Sequence, residues 1–247
     1  MGAKAKKAVL LLVCYLLLLG WYAPAQLLRV FLPADMRVGS FSGSLWQGSL
    51  HQFNWRNVTL PELKWQFTWS SWQPALRLAL HDPQGIQGSG TLRGWLSLQL
   101  YQWQLSAPAG FVQQQLPLPL PITAQGKLQL RLQQGEFSSH GCSSLSGGVA
   151  NWQNAQLASP LGELLLSNVQ AQLSCDAKGA LALVLKQDSS HLNLTGRGSL
   201  GFDGRYQFSG QLRSGPQLPD VMKPLMNQLG RVDDQGQIAW QVQGKLF

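Results

Sequence analysis

The side chains that carry most enzyme chemistry are few in this 247-residue chain, and they stand apart. Eleven acids and four histidines are all it has for acid–base work. The histidines are His51, His81, His140 and His191, and none lies in a metal-ligand or triad motif. General acid–base catalysis needs titratable groups within hydrogen-bond reach of one proton. The sequence contains no Gly-x-Ser-x-Gly, no His-Glu-x-x-His and no Walker loop. Asp233 and Asp234 adjoin, but Gln235-Gly236 follows them, which is the composition of a hairpin turn. His140 lies two residues from Cys142, yet further ligands at zinc spacing are missing. The residues point to a chain that is not an enzyme and holds no cofactor or metal.

The elements that position these residues begin with an apolar N-terminus. Lys4, Lys6 and Lys7 precede a stretch from Ala8 to Ala25 without a charge, and the next charge is Arg29. Such a stretch is about the minimum that spans a bilayer as a helix. Lysines stay on the cytoplasmic side, so the rest of the chain is expected to be exported. Trp21 and Tyr22 fall where an interfacial aromatic belt would sit. The expected layout is a cytoplasmic segment 1–7, a transmembrane helix 8–25 and an exported domain 26–247. A rival reading stays open: Ala23-Pro24-Ala25 has the form of a signal-peptidase site, and cleavage there would release a soluble protein. The apolar run after Pro24 speaks for a retained helix. Cys14 is read as an apolar residue of the span, since Val13 is not the small residue that precedes an acylated cysteine.

Cys142 and Cys175 are the two cysteines of the exported part. An oxidising compartment would join them as a disulfide. The formal net charge is +8, and the three N-terminal lysines supply three of it. The other cations stand singly, without the basic stripe that nucleic-acid binding requires. Charged residues make up 12% of the chain, about half the usual share.

Beyond the apolar segment the sequence alternates with period 2, as strands with one buried and one wet face do. Leu63, Trp65, Phe67 and Trp69 form one such run, and Leu76, Leu78 and Leu80 the next. Leu96, Leu98 and Leu100 change parity to Tyr101, Trp103 and Leu105, which predicts a bulge or bend at 100–101. Leu128–Leu132, Leu164–Leu166, Leu181–Leu185, Leu192–Leu194, Tyr206–Phe208 and Ile238–Val242 continue the pattern. Asp203-Gly204 is a tight-hairpin signal. Glycines flank several strands, as in Gly39 to Gly48 and Gly88 to Gly94, where a sheet bends or another backbone comes close. The one helix expected is Asp220 to Leu229. The fold class is all-β: an elongated, curved antiparallel sheet, open-barrel or jelly-roll-like, after the N-terminal helix. The Pro-rich run 116–121 divides the exported part into sub-halves 33–115 and 122–247.

Ten tryptophans are an excess, and Trp46, Trp55, Trp65, Trp69 and Trp72 crowd the first third. They serve either as core or as an aromatic surface for a partner or lipid chain. Trp46, after a Gly-rich turn, and Trp65, on an alternating strand, are the candidate partner contacts.

Several local features coincide with one family. They are Pro24 to Leu28, Val38-Gly39-Ser-Phe-Ser-Gly43-Ser-Leu45-Trp46-Gln47-Gly48, Leu63-Lys-Trp65 and Gly148 to Ala155. Asp203-Gly204-Arg205-Tyr206 and Leu229-Gly230-x-x-Asp233-x-x-Gly236 complete the set. The chain resembles the type II secretion system protein N family over essentially its whole length. The resemblance implies a single-pass protein of the bacterial inner membrane with its bulk in the periplasm, serving a machine that exports folded proteins. It implies partners among the other secretion subunits, either the inner-membrane platform or the outer-membrane secretin, and no catalytic residues. An AsmA-like lipid-handling or envelope-maintenance protein is the alternative, because the Gly-flanked rhythm is similar to that group.

Overall fold

The computed structural model describes residues 3–31, 36–55, 58–70, 72–83, 85–94, 97–114, 122–160, 162–222 and 232–245. The chain is all-β apart from one N-terminal helix and short helical turns, and forms two compact units, Met1–Asp82 and Pro83–Phe247. The two units adjoin in sequence at Asp82–Pro83; the Pro-rich run, expected to divide sub-halves 33–115 and 122–247, lies outside the described residues. The two sides of that run are linked locally. The short helix α2 (Ala109–Gln114) packs on β7 (Thr123–Ser138), and Gln113 bonds both the Ile122 carbonyl and the Ala124 N–H. Both flanks thus belong to one unit.

Unit 1 opens with helix α1 (Ala3–Trp21) and a 3-10 turn, η1 (Ala25–Phe31). Four strands follow: β1 (Met36–Gly43), β2 (Gln47–Trp55), β3 (Val58–Ser70) and β4 (Gln73–His81). They pair as an antiparallel meander in chain order. α1 stops at Trp21, four residues short of the expected end of the span. Its uncharged part, Ala8–Trp21, rises about 21 Å at 1.5 Å per residue, against a hydrocarbon core of about 30 Å. No helix among the described residues is long and apolar enough to cross a membrane, so the transmembrane helix expected at 8–25 is not supported here. The core of unit 1 gathers Ala25, Leu50 and Trp65, with Leu28, Val38, Phe41, Phe53, Leu63, Leu76 and Leu78 packed around them.

Unit 2 contains β5 (Gln87–Arg93), β6 (Leu98–Pro108), β7, β8 (Gly141–Ser146), β9 (Gly148–Ser159) and β10 (Gly162–Cys175). β11 (Leu181–Asp188), β12 (Leu192–Leu200), β13 (Arg205–Ser214) and β14 (Gln237–Lys245) complete it. The pairing is antiparallel throughout, in the order β5-β6-β7-β9-β10-β11-β12-β13-β14. β8 stands off this path and pairs with the far end of β7, residues 134–138. The expected bend in β6 is a register shift opposite Ser89–Thr91, with Gln102 at φ 51°. The core is Ala155, Leu166, Leu192, Leu218 and Ile238, flanked by Trp152, Leu157, Leu164, Val169 and Leu212. Of the helix expected from Asp220 to Leu229, the described part is one 3-10 turn, η2 (Asp220–Met222); the remainder lies outside the described residues.

Three hairpins of unit 2 share one turn design. Asp176 to Gly179, Gly201 to Gly204 and Asp233 to Gly236 each close a four-residue loop whose last glycine has φ near +77°, +80° and +74°. A non-glycine residue resists that region because its Cβ meets the following carbonyl. In each turn an aspartate Oδ1 accepts backbone N–H groups. Asp176 takes Lys178 and Ala180 (both 2.8 Å), Asp233 takes Gln235 (2.9 Å) and Gln237 (2.7 Å), and Asp203 takes Arg205 (3.1 Å). The hairpin expected at Asp203-Gly204 is therefore present, with a four-residue loop.

The Gly-flanked rhythm has a second cause besides bending. A Cβ at Gly48 would lie 2.5 Å from the Trp65 ring across the β2–β3 pair, and one at Gly198 would enter the Phe208 ring across β12–β13. The glycines leave room for an aromatic from the next strand to lie flat on the sheet.

Candidate functional site

The acids of the fold are largely engaged in structure. Besides the three turn aspartates, Glu62 pairs with Lys64 (3.3 Å), Glu136 accepts the Ser97 hydroxyl (2.9 Å) and Glu163 accepts the Gln156 amide (2.9 Å). His51 meets the Ser49 hydroxyl (3.1 Å), His140 the Ser139 hydroxyl (3.2 Å), and His191 Nδ1 accepts the Leu165 N–H (3.1 Å). Among the described residues no three His, Cys, Asp or Glu side chains gather as a metal site would require.

Cys142 on β8 and Cys175 at the end of β10, 33 positions apart in sequence, form a disulfide with Cα atoms 5.4 Å apart. The bond ties the off-path strand to the β10–β11 hairpin. Cys142 N–H also donates to the Gly179 carbonyl (2.8 Å), and Phe137 meets Phe202 at 5.9 Å beside it.

The aromatic cluster of unit 1 is the most distinctive chemical feature. Its hub is the turn between β1 and β2. Trp46 Nε1 donates to the Gly20 carbonyl (2.9 Å), one of the orphan acceptors at the end of α1. Leu45 N–H donates to Ala23 (3.0 Å), and Pro24 bridges Ser44. The Leu45 carbonyl accepts Trp65 Nε1 (3.2 Å), and the Trp46 carbonyl accepts the Phe67 N–H (2.6 Å). Rings continue outward from the hub. Trp21 lies 6.5 Å from Trp46, Trp46 is 5.1 Å from Phe67 edge-on, and Phe67 is 6.2 Å from Trp69 edge-on. Along β3 one face runs out of the core into the open: Trp65 is 8% exposed, Phe67 is half-buried and Trp69 is 71% exposed.

Comparison with known proteins decides the lineage. The family model described as type II secretion system (T2SS), protein N, matches residues 34–241, most of the chain. The chain belongs to the type II secretion system protein N family. It is 46% identical to the type II secretion system protein N of Pectobacterium carotovorum subsp. carotovorum over 240 residues, covering 97% of this chain and 96% of that one. Its identity to the protein of the same name from Klebsiella pneumoniae is 41%, over 96% and 94% of the two chains. The Aeromonas hydrophila protein N is 32% identical over the full length of both. No solved structure matches the chain significantly.

The two tryptophans singled out from the sequence part company in this protein N family member. Trp46 is 40% exposed and offers surface. Trp65, expected at a partner contact, is corrected to core: its ring lies over Gly48, its indole N–H is bonded, and it presents almost nothing to a partner. The surface contains instead Trp21, Phe67, Trp69 and Trp72. Its sequence signal was the same-parity run Trp65, Phe67, Trp69, which must leave the core somewhere before the turn.

Proposed function

We propose that this chain is a non-catalytic, single-pass inner-membrane component of the type II secretion machine, with both β-units on the periplasmic side and in contact with other subunits. Family membership across both units carries the reading, together with the character of α1. Between Val9 and Tyr22 the described large apolar side chains of that segment are from 46% to 78% exposed, on every side of the helix. A helix apolar all round requires protein or lipid around it. The uncharged run is short, but Lys6 and Lys7 can extend their stems along the apolar boundary and keep their ammonium groups in water. Trp21 and Tyr22 supply the interfacial pair at the other end.

The disulfide fits an oxidising compartment. The non-catalytic reading rests on acids committed to turns and strand pairs. Partner contact has two physical means, the exposed aromatics of unit 1 and the edge of β14. Beyond the Val232–Ile238 bridge that edge has no strand partner among the described residues, and such an edge accepts an added strand. The depression over β9 to β12 is lined by Asn151, Gln153, Asn168, Gln170, Lys186 and Thr195, a polar surface that favours the machine-component reading over lipid handling.

The test is topology in the cell. The protein should resist alkaline carbonate extraction, alkaline phosphatase fused at Phe247 should be active, and the mature chain should begin at Met1 or Gly2. A mature chain beginning at Gln26 would overturn the anchor, and an inactive fusion would overturn the orientation.

A further inference from the structure

We propose that the exposed aromatics of unit 1, led by Trp69 and Trp72, seat this unit in the headgroup layer of the bilayer that α1 enters. The inference rests on the reading of α1 as a membrane helix, and adds a second, sheet-borne contact with the same lipid. The hydrogen bonds from Trp46 and Leu45 to Gly20 and Ala23 join the β1–β2 turn directly to the end of α1. Wherever that end lies, Trp46 lies with it. The ring contacts then carry the aromatic surface from Trp21 through Trp46 and Phe67 to Trp69. Three residues on is Trp72, in the β3–β4 turn, 97% exposed and held at φ 63°. Three residues of chain span at most roughly 10 Å, so Trp72 stays close to the ring series that starts at the helix end.

The chemistry selects lipid over water. An indole has a broad apolar face and a single N–H, which suits the boundary between headgroups and acyl chains. The flanking charge agrees with anionic headgroups: residues 26–82 have five Arg and Lys against three acids, and Arg29 in η1 is exposed. The aromatic face of another membrane protein is the competing occupant.

The experiment uses the full chain in vesicles of phosphatidylethanolamine and phosphatidylglycerol. With Cys14→Ala in place, an environment-sensitive fluorophore is attached at Trp72→Cys or, separately, at Leu12→Cys. The Leu12 label should be quenched by nitroxides placed deep in the acyl chains. The Trp72 label should be quenched several-fold more by shallow nitroxides than by deep ones, and be shielded from aqueous iodide. A Trp72 label reached freely by iodide, with the Leu12 label still quenched from within the bilayer, would overturn the seat and leave the membrane helix standing. A Trp72 label shielded from iodide and lipid alike would overturn it in favour of protein contact. A Leu12 label untouched by lipid quenchers would remove the membrane helix and this inference together.

Discussion

Unit 1 leans on aromatics, with six of the ten tryptophans in its first 82 residues, one of them the centre of its core and three of them strongly exposed. Unit 2 has four tryptophans in twice the length, and holds its strands with a disulfide and three aspartate-bonded turns. The strand pattern is the same in both. What differs is where polar and aromatic side chains are used. Acids in unit 2 satisfy backbone donors at turns, which a charge-poor chain can do with one carboxylate per turn. Aromatics in unit 1 exceed what its core can cover, and large apolar side chains left in contact with solvent mark an interaction surface. One strand grammar thus carries two uses of side chains, turns closed by carboxylates in unit 2 and an aromatic surface left open in unit 1.

The largest effect should come from the core of unit 1. Trp65→Ala removes a buried ring and one hydrogen bond, and should cost roughly 3–5 kcal/mol, read as a fall in melting temperature of the detergent-solubilised chain. A loss below about 1 kcal/mol, the scale of most surface substitutions, would return Trp65 to the surface. Next comes Cys142→Ser. Opening a 33-residue loop should cost about 3–4 kcal/mol, visible as a lower unfolding midpoint in denaturant, and reduction of the wild type should add two labelled thiols to that of Cys14. Labelling of both cysteines in the unreduced, denatured protein would remove the bond from the account.

Asp176→Ala leaves two backbone N–H groups of the β10–β11 turn without their acceptor and should cost on the order of 1–2 kcal/mol, while Asp176→Asn recovers part of it. Unchanged melting in the alanine variant would mean that the turn is held by Gly179 alone. The smallest effect on stability is expected at Trp69→Ala, within about 0.5 kcal/mol, because the ring is mostly exposed. A loss comparable to that of Trp65 would erase the contrast between core and surface along β3.

Much of the strand plan was legible because period-2 alternation survives wherever one face is covered. β3, β4, β7, β10 to β14 and the hairpin at Asp203-Gly204 follow it. β8 and β9 were not legible. In β9 the residue Asn154 sits at φ 49° and the register slips against β7 and β10, so its apolar residues Ala150, Trp152, Ala155 and Leu157 keep no single parity. The division at Asp82–Pro83 has no compositional mark as strong as the Pro-rich run. At the site, the disulfide followed from the count of cysteines beyond the apolar N-terminal segment. The separate fates of Trp46 and Trp65 did not, because Trp46 comes after a Gly-rich turn and Trp65 alternates with polar residues, and neither pattern marks burial. Their burial is decided by which carbonyl each indole reaches, Gly20 for Trp46 and Leu45 for Trp65.

The central claim is that this family member acts in secretion as an anchored, non-catalytic component of the machine. The most direct test replaces residues 1–25 with a cleavable export signal in the source bacterium, so that residues 26–247 are released into the periplasm. The measurement is the amount of a folded type II substrate in the medium, with released and wild-type chains at equal periplasmic abundance. The released form should fail to restore secretion in a strain lacking the gene, while the wild-type chain restores it. Full secretion with the released form would contradict the claim.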